Sequence, residues 1–150
     1  MIDFEKWHGN GNDFVIINTV EKNIKLTKSF IKKISDRNKG IGFDQLIAVG
    51  LPTKDDHDFF VRFYNSDSSE ASMCLNGIRC ASSYIWKNSL APIKKISFKT
   101  KHNNIKCYPE KSINMSLSDV AIFNQNIIHR TNKSTVDEVR FAGIIRMQII

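Results

Sequence analysis

The sequence predicts an α+β domain, and three observations lead to this prediction. Runs of Val, Ile and Phe that are typical of strands recur along the 150 residues. Only two segments carry apolar residues at helical spacing, and they are well separated. Strands and helices do not alternate regularly, which argues against a series of β-α-β units. With 41% hydrophobic and 25% charged residues, the chain has a globular composition and enough length to bury its own core.

The individual elements follow from local patterns. The first helix is predicted at 27–39, with Thr27 as its N-cap and Gly40 as its stop, and the second helix at 76–88. A polar loop is predicted at 65–73. The strands share short runs of β-branched or aromatic residues and are predicted at 13–20, 44–49, 59–64, 95–100, 104–108 and 113–117.

Composition argues against several classes of protein. No apolar run reaches the roughly 20 residues that a membrane helix needs, and the acidic first residues do not resemble a signal peptide. We therefore expect a cytoplasmic protein with no membrane partner. A net charge of +7 can mark a nucleic-acid surface, but only 6 of the 22 basic residues are arginine. Because the lysines stand singly along predicted strands, we expect no nucleic-acid partner.

Three cysteines are the candidates for nucleophilic or metal chemistry: Cys74, Cys80 and Cys107. An odd number argues against a disulfide framework, and the spacing of the first two is poor for zinc, so no metal is expected. Cys74 falls just before the second predicted helix, where unpaired backbone N–H groups and the helix dipole favour an anion. This placement predicts a lowered pKa and a reactive thiol. The alternative is that Cys74 is a small buried hydrophobic residue, as most free cysteines are.

Glycine-containing turns occur at 8–13 and 37–45. The first contains two glycines that allow close approach of the backbone, as in dinucleotide-binding loops. A strand rather than a helix is predicted to follow it, so that interpretation fails. Composition alone favours structural turns at both positions.

Four segments taken together resemble the diaminopimelate epimerase family. They are KWHGNGNDFV at 6–15, RNKGIGFDQL at 37–46, RFYNSD at 62–67 and CLNGIRC at 74–80. They occur in the family order and at close to the family spacing, and the clear resemblance covers residues 2–101. It implies two mirror-like halves, each a curved, mostly antiparallel sheet wrapped around a central helix. The second predicted helix would be the central helix of the first half.

The resemblance also implies a function and a site. The family interconverts LL- and meso-2,6-diaminopimelate in lysine and peptidoglycan precursor synthesis, without pyridoxal phosphate or any other cofactor. A thiol at the place of Cys74 is one of two acid/base groups, and amides at the places of Asn12, Gln45, Asn65 and Asn76 bind the substrate. Inversion requires proton removal on one face and delivery on the other, which two thiols can provide. Amides can hold ammonium and carboxylate groups without adding charge.

The chain departs from the family pattern at three positions. Leu75 replaces a glycine beside the candidate thiol, so its side chain is expected to crowd the substrate carboxylate and is counted among the binding residues. Ser68 stands where a turn glycine is usual, and Asn10 where an apolar residue is common.

Length is the larger departure. The family's second cysteine lies in a Gly-Ser-Gly-type turn that this sequence lacks, and Cys107 is expected to be structural. Residues 139–150 resemble part of the second half, so we expect a first domain at 1–117 and a truncated remnant at 118–150. Two hypotheses follow: an epimerase impaired by loss of the second cysteine, or a vestigial half-domain that binds an amino acid or a partner without turnover. A homodimer is left open.

Overall fold

The computed structural model describes residues 2–22 and 24–109. Its strands are β1 (Glu5–Gly9), β2 (Asn12–Asn18), β3 (Gln45–Gly50), β4 (Phe59–Asn65), β5 (Glu70–Ala71), β6 (Ile96–Lys99) and β7 (Asn104–Cys107), and its helices are α1 (Lys28–Ser35) and α2 (Leu75–Lys87). Within these ranges, no helix has the length and apolar character needed to cross a membrane. The strand expected at 113–117, the domain boundary after residue 117 and the remnant at 118–150 lie outside the described residues.

The described strands form one sheet in the order β1-β2-β3-β4-β6-β7, with β5 paired beside β4. The β2–β3 and β4–β6 pairs are parallel, and the other four pairs are antiparallel. Helix α2 packs against β1, β2 and β3. The predicted α+β class, with a mostly antiparallel sheet around a central helix, is confirmed.

Alternation along the strands separates two hydrophobic cores. On β2, Phe14 and Ile16 belong to the core beneath α2, which we call the α2 core. Their neighbours Val15 and Ile17 belong to the opposite core, together with Ile31 of α1. Successive side chains of a strand point to opposite faces, so this run of apolar residues serves both cores. Each of these fully buried side chains contributes about 1.5–3 kcal/mol through removal from water.

A two-residue turn joins β1 to β2. Asn10 and Gly11 have φ angles of 50° and 85°, as a type I′ hairpin turn requires. Gly9 pairs with Asn12 across the turn. The glycine pattern at 8–13 is therefore a hairpin, which confirms the structural interpretation of this segment.

Helix α1 begins as predicted but ends early. Thr27 caps it by accepting a hydrogen bond from the backbone N–H of Phe30. The helix ends at Ser35 instead of residue 39, because the backbone of Asp36 is extended and its carboxylate accepts the N–H groups of the next turn. A Cβ on Gly40 would lie 2.5 Å from a backbone oxygen of α1, so this glycine closes the following turn rather than the helix.

The segment at 65–73 was expected to be a loop throughout. It contains β5, which pairs with Phe63 and Tyr64 of β4. The sequence did not predict this strand, because its two residues are exposed or half-buried and show no apolar alternation. The second helix begins one residue earlier than predicted, at Leu75.

Candidate active site

Three neighbouring strands each place an amide side chain at the same end of the sheet. Gln45 starts β3, and it lies opposite Phe14 of β2 and Asn65 of β4. Asn12 is two residues before Phe14, and Asn65 is two residues after Phe63. Both phenylalanines belong to the α2 core, so alternation puts all three amides on the face that α2 covers.

The first turn of α2 completes this cluster. Cys74 is the N-cap, and its Sγ accepts the backbone N–H of Gly77 at 3.4 Å. A Cβ on Gly77 would lie 2.7 Å from the ring of Phe63, so only glycine lets the helix approach β4 this closely. Leu75 is the first helical residue, half-buried and outside both cores. The predicted thiol therefore starts a helix whose first turn rests on the strand that carries Asn65.

Two hydrogen-bond chains connect the amides. In the first, the Asp44 chain, Asn12 Nδ2 donates to Asp44 Oδ2 at 3.3 Å, and Asn76 Nδ2 donates to Asn12 Oδ1 at 2.9 Å. Arg79 and Asn10 then donate to Asn76 Oδ1, at 3.1 and 3.4 Å. A carboxylate only accepts and a guanidinium only donates, so these two ends determine the orientation of both amides between them.

In the second, the Asp67 chain, the hydroxyl of Ser69 donates to Asp67 Oδ1 at 2.5 Å. Asn65 Nδ2 donates to Ser69 Oγ at 2.9 Å, and Gln45 Nε2 donates to Asn65 Oδ1 at 2.8 Å. Gln45 Oε1 is buried and has no hydrogen-bond partner among the described residues. The Asp67 chain thus ends in an open acceptor.

An ionic cluster supports Asp44. Arg37 donates two hydrogen bonds to Asp13, at 3.0 and 2.7 Å, and a third to Asp44 Oδ1 at 2.9 Å. Lys6 forms an ion pair with Asp13 at 2.8 Å. The Arg37 guanidinium holds the pKa of Asp13 well below its usual range. Arg37 therefore contacts both aspartates, and Asp44 uses its other oxygen to accept from Asn12.

The structure corrects one expectation about the thiols. Burial raises the pKa of Cys74, and the backbone N–H groups of Gly77 and Asn76 offset only part of that rise. The expected lowering of its pKa is wrong, because desolvation outweighs the helix N-terminus. Burial also raises the pKa of Cys80 to about 12 and that of Cys107 above its ordinary value. Cys80 is fully buried, and Cys107 packs against the α2 core.

The predicted residues Asn12 and Asn76 contact each other directly, as do Gln45 and Asn65. The residues that orient them were not singled out from the sequence: Asp44, Asp67, Ser69 and Arg79. Two local signals were present. Arg79 follows Asn76 by three residues, so both lie on one helix face, and Ser69 follows Asp67 by two, as in an Asx turn.

Solved structures share this fold at low sequence identity. The chain is similar to methylitaconate-delta-isomerase, with a TM-score of 0.56 and 13% identity over 73% of this chain and 60% of that one. It is also similar to a phenazine biosynthesis protein of the PhzF family from Bacillus anthracis, with a TM-score of 0.53 and 18% identity over 70% and 34% of the two chains. These likenesses show the fold alone.

The sequence comparisons go further. Residues 4–117 match the family described as diaminopimelate epimerase. The diaminopimelate epimerase of Psychrobacter sp. (strain PRwf-1) is 44% identical over 101 residues, which are 67% of this chain and 34% of the relative. The chain thus spans about a third of the length of this curated relative. With the fold, the thiol at the start of α2 and the amide cluster in place, these matches show that the chain belongs to the diaminopimelate epimerase family.

Proposed function

We propose that Cys74 is one acid/base group of a cofactor-independent epimerase that interconverts LL- and meso-2,6-diaminopimelate, a step in lysine and peptidoglycan precursor synthesis. Membership of the family supports an amino-acid epimerase as the class of enzyme. The observation that carries the proposal is the meeting of a helix-capping thiol with two oriented amide pairs at one end of the sheet.

The two hydrogen-bond chains suit the two charged groups at an amino-acid α-carbon. In the Asp44 chain, Asn12 and Asn76 each keep a second N–H beyond the one used within the chain. These donors lie beside the positive N-terminal end of α2, and both features suit a carboxylate. In the Asp67 chain, the open oxygen of Gln45 suits an ammonium group.

The chemical step is a proton transfer at carbon. The thiolate of Cys74 takes the α-hydrogen, so that an S–H bond forms, the C–H bond breaks and the electron pair stays on the α-carbon beside the carboxylate. A burial-raised pKa reduces the thiolate population at neutral pH but makes each thiolate a stronger base. Return of the proton from the same thiol restores the configuration, and delivery from the other face inverts it.

The opposite face requires a second group. Of the three thiols of the chain, Cys80 is fully buried and Cys107 packs against the α2 core, so neither is placed for this role. We therefore assign the second acid/base group to a segment that these 150 residues do not contain or to a second polypeptide. The 150-residue chain alone is then expected to exchange the α-hydrogen with retention, without useful inversion.

Incubation with LL- and, separately, meso-diaminopimelate in D₂O tests this proposal. We expect deuterium at an α-carbon of unchanged configuration, lost in Cys74→Ala and kept in the matched control Cys107→Ala. One acid/base group typically contributes a factor of roughly 10²–10⁴ in rate, so the loss is measurable by mass spectrometry. Binding without exchange would instead indicate a non-catalytic amino-acid-binding domain. Rapid formation of the other isomer would show that these 150 residues already supply the second group, and would refute its assignment elsewhere.

A further inference from the structure

We infer that Ser69, anchored by Asp67, is a positioning residue that makes Gln45 offer its carbonyl oxygen, and that this end of the site therefore selects an ammonium group over a carboxylate. The identity of the ligand rests on the proposed function. The orientation of the amides is independent of the proposed function, because it follows from hydrogen bonds between residues of this protein.

The anchor of the Asp67 chain is a carboxylate that only accepts. Asp67 Oδ1 receives the backbone N–H of Ser69 at 2.8 Å and its hydroxyl at 2.5 Å. These two hydrogen bonds lower the pKa of Asp67, so the group is ionised at neutral pH. The single hydroxyl hydrogen of Ser69 is therefore committed to Asp67, and its oxygen has only lone pairs left.

The hydrogen bond from Ser69 to Asp67 determines the direction of the other hydrogen bonds in the Asp67 chain. Ser69 Oγ can only accept, so Asn65 must turn its Nδ2 toward it. Asn65 Oδ1 then faces Gln45 and accepts from Nε2, which leaves Gln45 Oε1 at the free end. The turn holds the partners in place, because the backbone N–H of Asn65 donates to the carbonyl of Ser69 at 2.8 Å.

The free end has a chemical preference. Gln45 Oε1 is buried and has no partner among the described residues, and such a buried acceptor is unfavourable until a donor reaches it. An ammonium group supplies that donor, whereas a carboxylate would face another oxygen. If Asn65 and Gln45 both reversed, Gln45 would present its NH₂ group and the preference would reverse with it. Ser69 thus determines whether Gln45 presents an acceptor or a donor to the ligand, without contacting the ligand itself.

The first test examines the amides in the ligand-free chain. Side-chain amide resonances of Gln45 and Asn65 are followed by ¹⁵N NMR in Ser69→Ala, in the rescue variant Ser69→Thr and in the control Ser66→Ala. Ser66 is exposed and its hydroxyl is not part of the Asp67 chain. We expect Ser69→Ala to shift both resonances and the other two variants to preserve them, at matched thermal stability. An unchanged Gln45 resonance in Ser69→Ala would overturn the inference.

The second test measures selectivity by calorimetric titration with diaminopimelate and with pimelate, which lacks the ammonium groups. Ser69→Ala is expected to reduce the preference for diaminopimelate over pimelate by about ten- to a hundredfold, the range for a hydrogen bond to a charged group. Ser69→Thr should retain the preference. An equal loss of affinity for both ligands indicates a merely structural role and contradicts the inference. If the unaltered chain binds neither ligand, the proposed function fails, and the NMR result decides the inference alone.

Discussion

Cys74 experiences two opposed effects on its thiol. Burial raises its pKa, and the N–H groups at the start of α2 lower it. Burial also raises the pKa values of Cys80 and Cys107, but Cys80 lies within α2 and Cys107 on β7, so neither caps a helix. We predict that Cys74 is alkylated first by limiting iodoacetamide, at a rate that keeps rising with pH beyond the ordinary range of a thiol. Peptide mapping at several pH values measures this, and earlier labelling of Cys80 or Cys107 would contradict it.

Substitutions of Leu75 are expected to change ligand affinity more than they change stability. Its side chain lies outside both cores, so the fold does not depend on it. We predict that Leu75→Gly binds diaminopimelate more tightly while losing about 0.5–1 kcal/mol of unfolding free energy through added backbone entropy. Leu75→Ala removes the crowding without that cost. It should therefore bind diaminopimelate as tightly as Leu75→Gly and unfold at a higher temperature than Leu75→Gly. Equal affinity of all three proteins would show that the leucine points away from the ligand.

The turn between β4 and β5 carries local strain. Ser68 has a φ of 71°, a left-handed conformation that a residue with a Cβ adopts at a cost of roughly 1–2 kcal/mol. We predict that Ser68→Gly raises the unfolding free energy by about 0.5–1 kcal/mol, because the gain in the folded state exceeds the added entropy of the unfolded chain. Urea denaturation measures the change. Ser68→Ala keeps the strain and serves as the control, and a less stable Ser68→Gly protein would refute the prediction.

The contact between α2 and β4 depends on Gly77. An added Cβ would lie 2.7 Å from the ring of Phe63, which is fully buried. We predict that Gly77→Ala loses about 1–3 kcal/mol, the usual cost of overpacking, although alanine is the better helix former. In a Phe63→Leu background the same change should cost less, since the smaller side chain leaves space. Equal costs in both backgrounds, measured by thermal unfolding, would exclude this contact as the cause.

At the scale of the whole molecule, paired carboxylates determine the response to acid. Hydrogen bonds from Arg37 and from Ser97 lower the pKa values of Asp13 and Asp58 respectively. A lowered folded pKa means that the unfolded chain binds more protons, so stability rises with pH. We predict that the unfolding free energy is highest above the ordinary aspartate pKa of about 4 and declines as pH falls below it.

Arg37→Ala tests this acid response. Loss of the guanidinium returns the pKa of Asp13 toward its ordinary value, so the dependence of stability on pH between about 5 and 2 should become shallower. Lys39→Ala removes the same charge from the neighbouring exposed turn and should leave the slope unchanged. Parallel urea titrations across this pH range compare the variants. Identical slopes for Arg37→Ala and the unaltered chain would exclude Arg37 as the stabilising partner.

Much of the fold and part of the candidate site could be predicted from local chemistry. Thr27 caps α1, Asn10–Gly11 forms the hairpin turn and Cys74 starts α2, each because backbone groups within a few residues are satisfied there. The length of α1 was predicted wrongly, since the carboxylate of Asp36 competes for the N–H groups of the next turn.

The sequence by itself determined the α+β class, because periodicity and turn residues depend on neighbouring positions. Its four motifs indicated the family, and the family resemblance in turn implied the mostly antiparallel sheet. Only the tertiary structure decided how Gln45 meets Asn65, and how Asn12 meets Asn76 from 64 positions away. It also decided the direction of the Cys74 pKa shift, since burial depends on what other segments place around the thiol. The orientation of the amides and the desolvation of the thiol depend on contacts between segments distant in the chain, so no local sequence pattern predicts them.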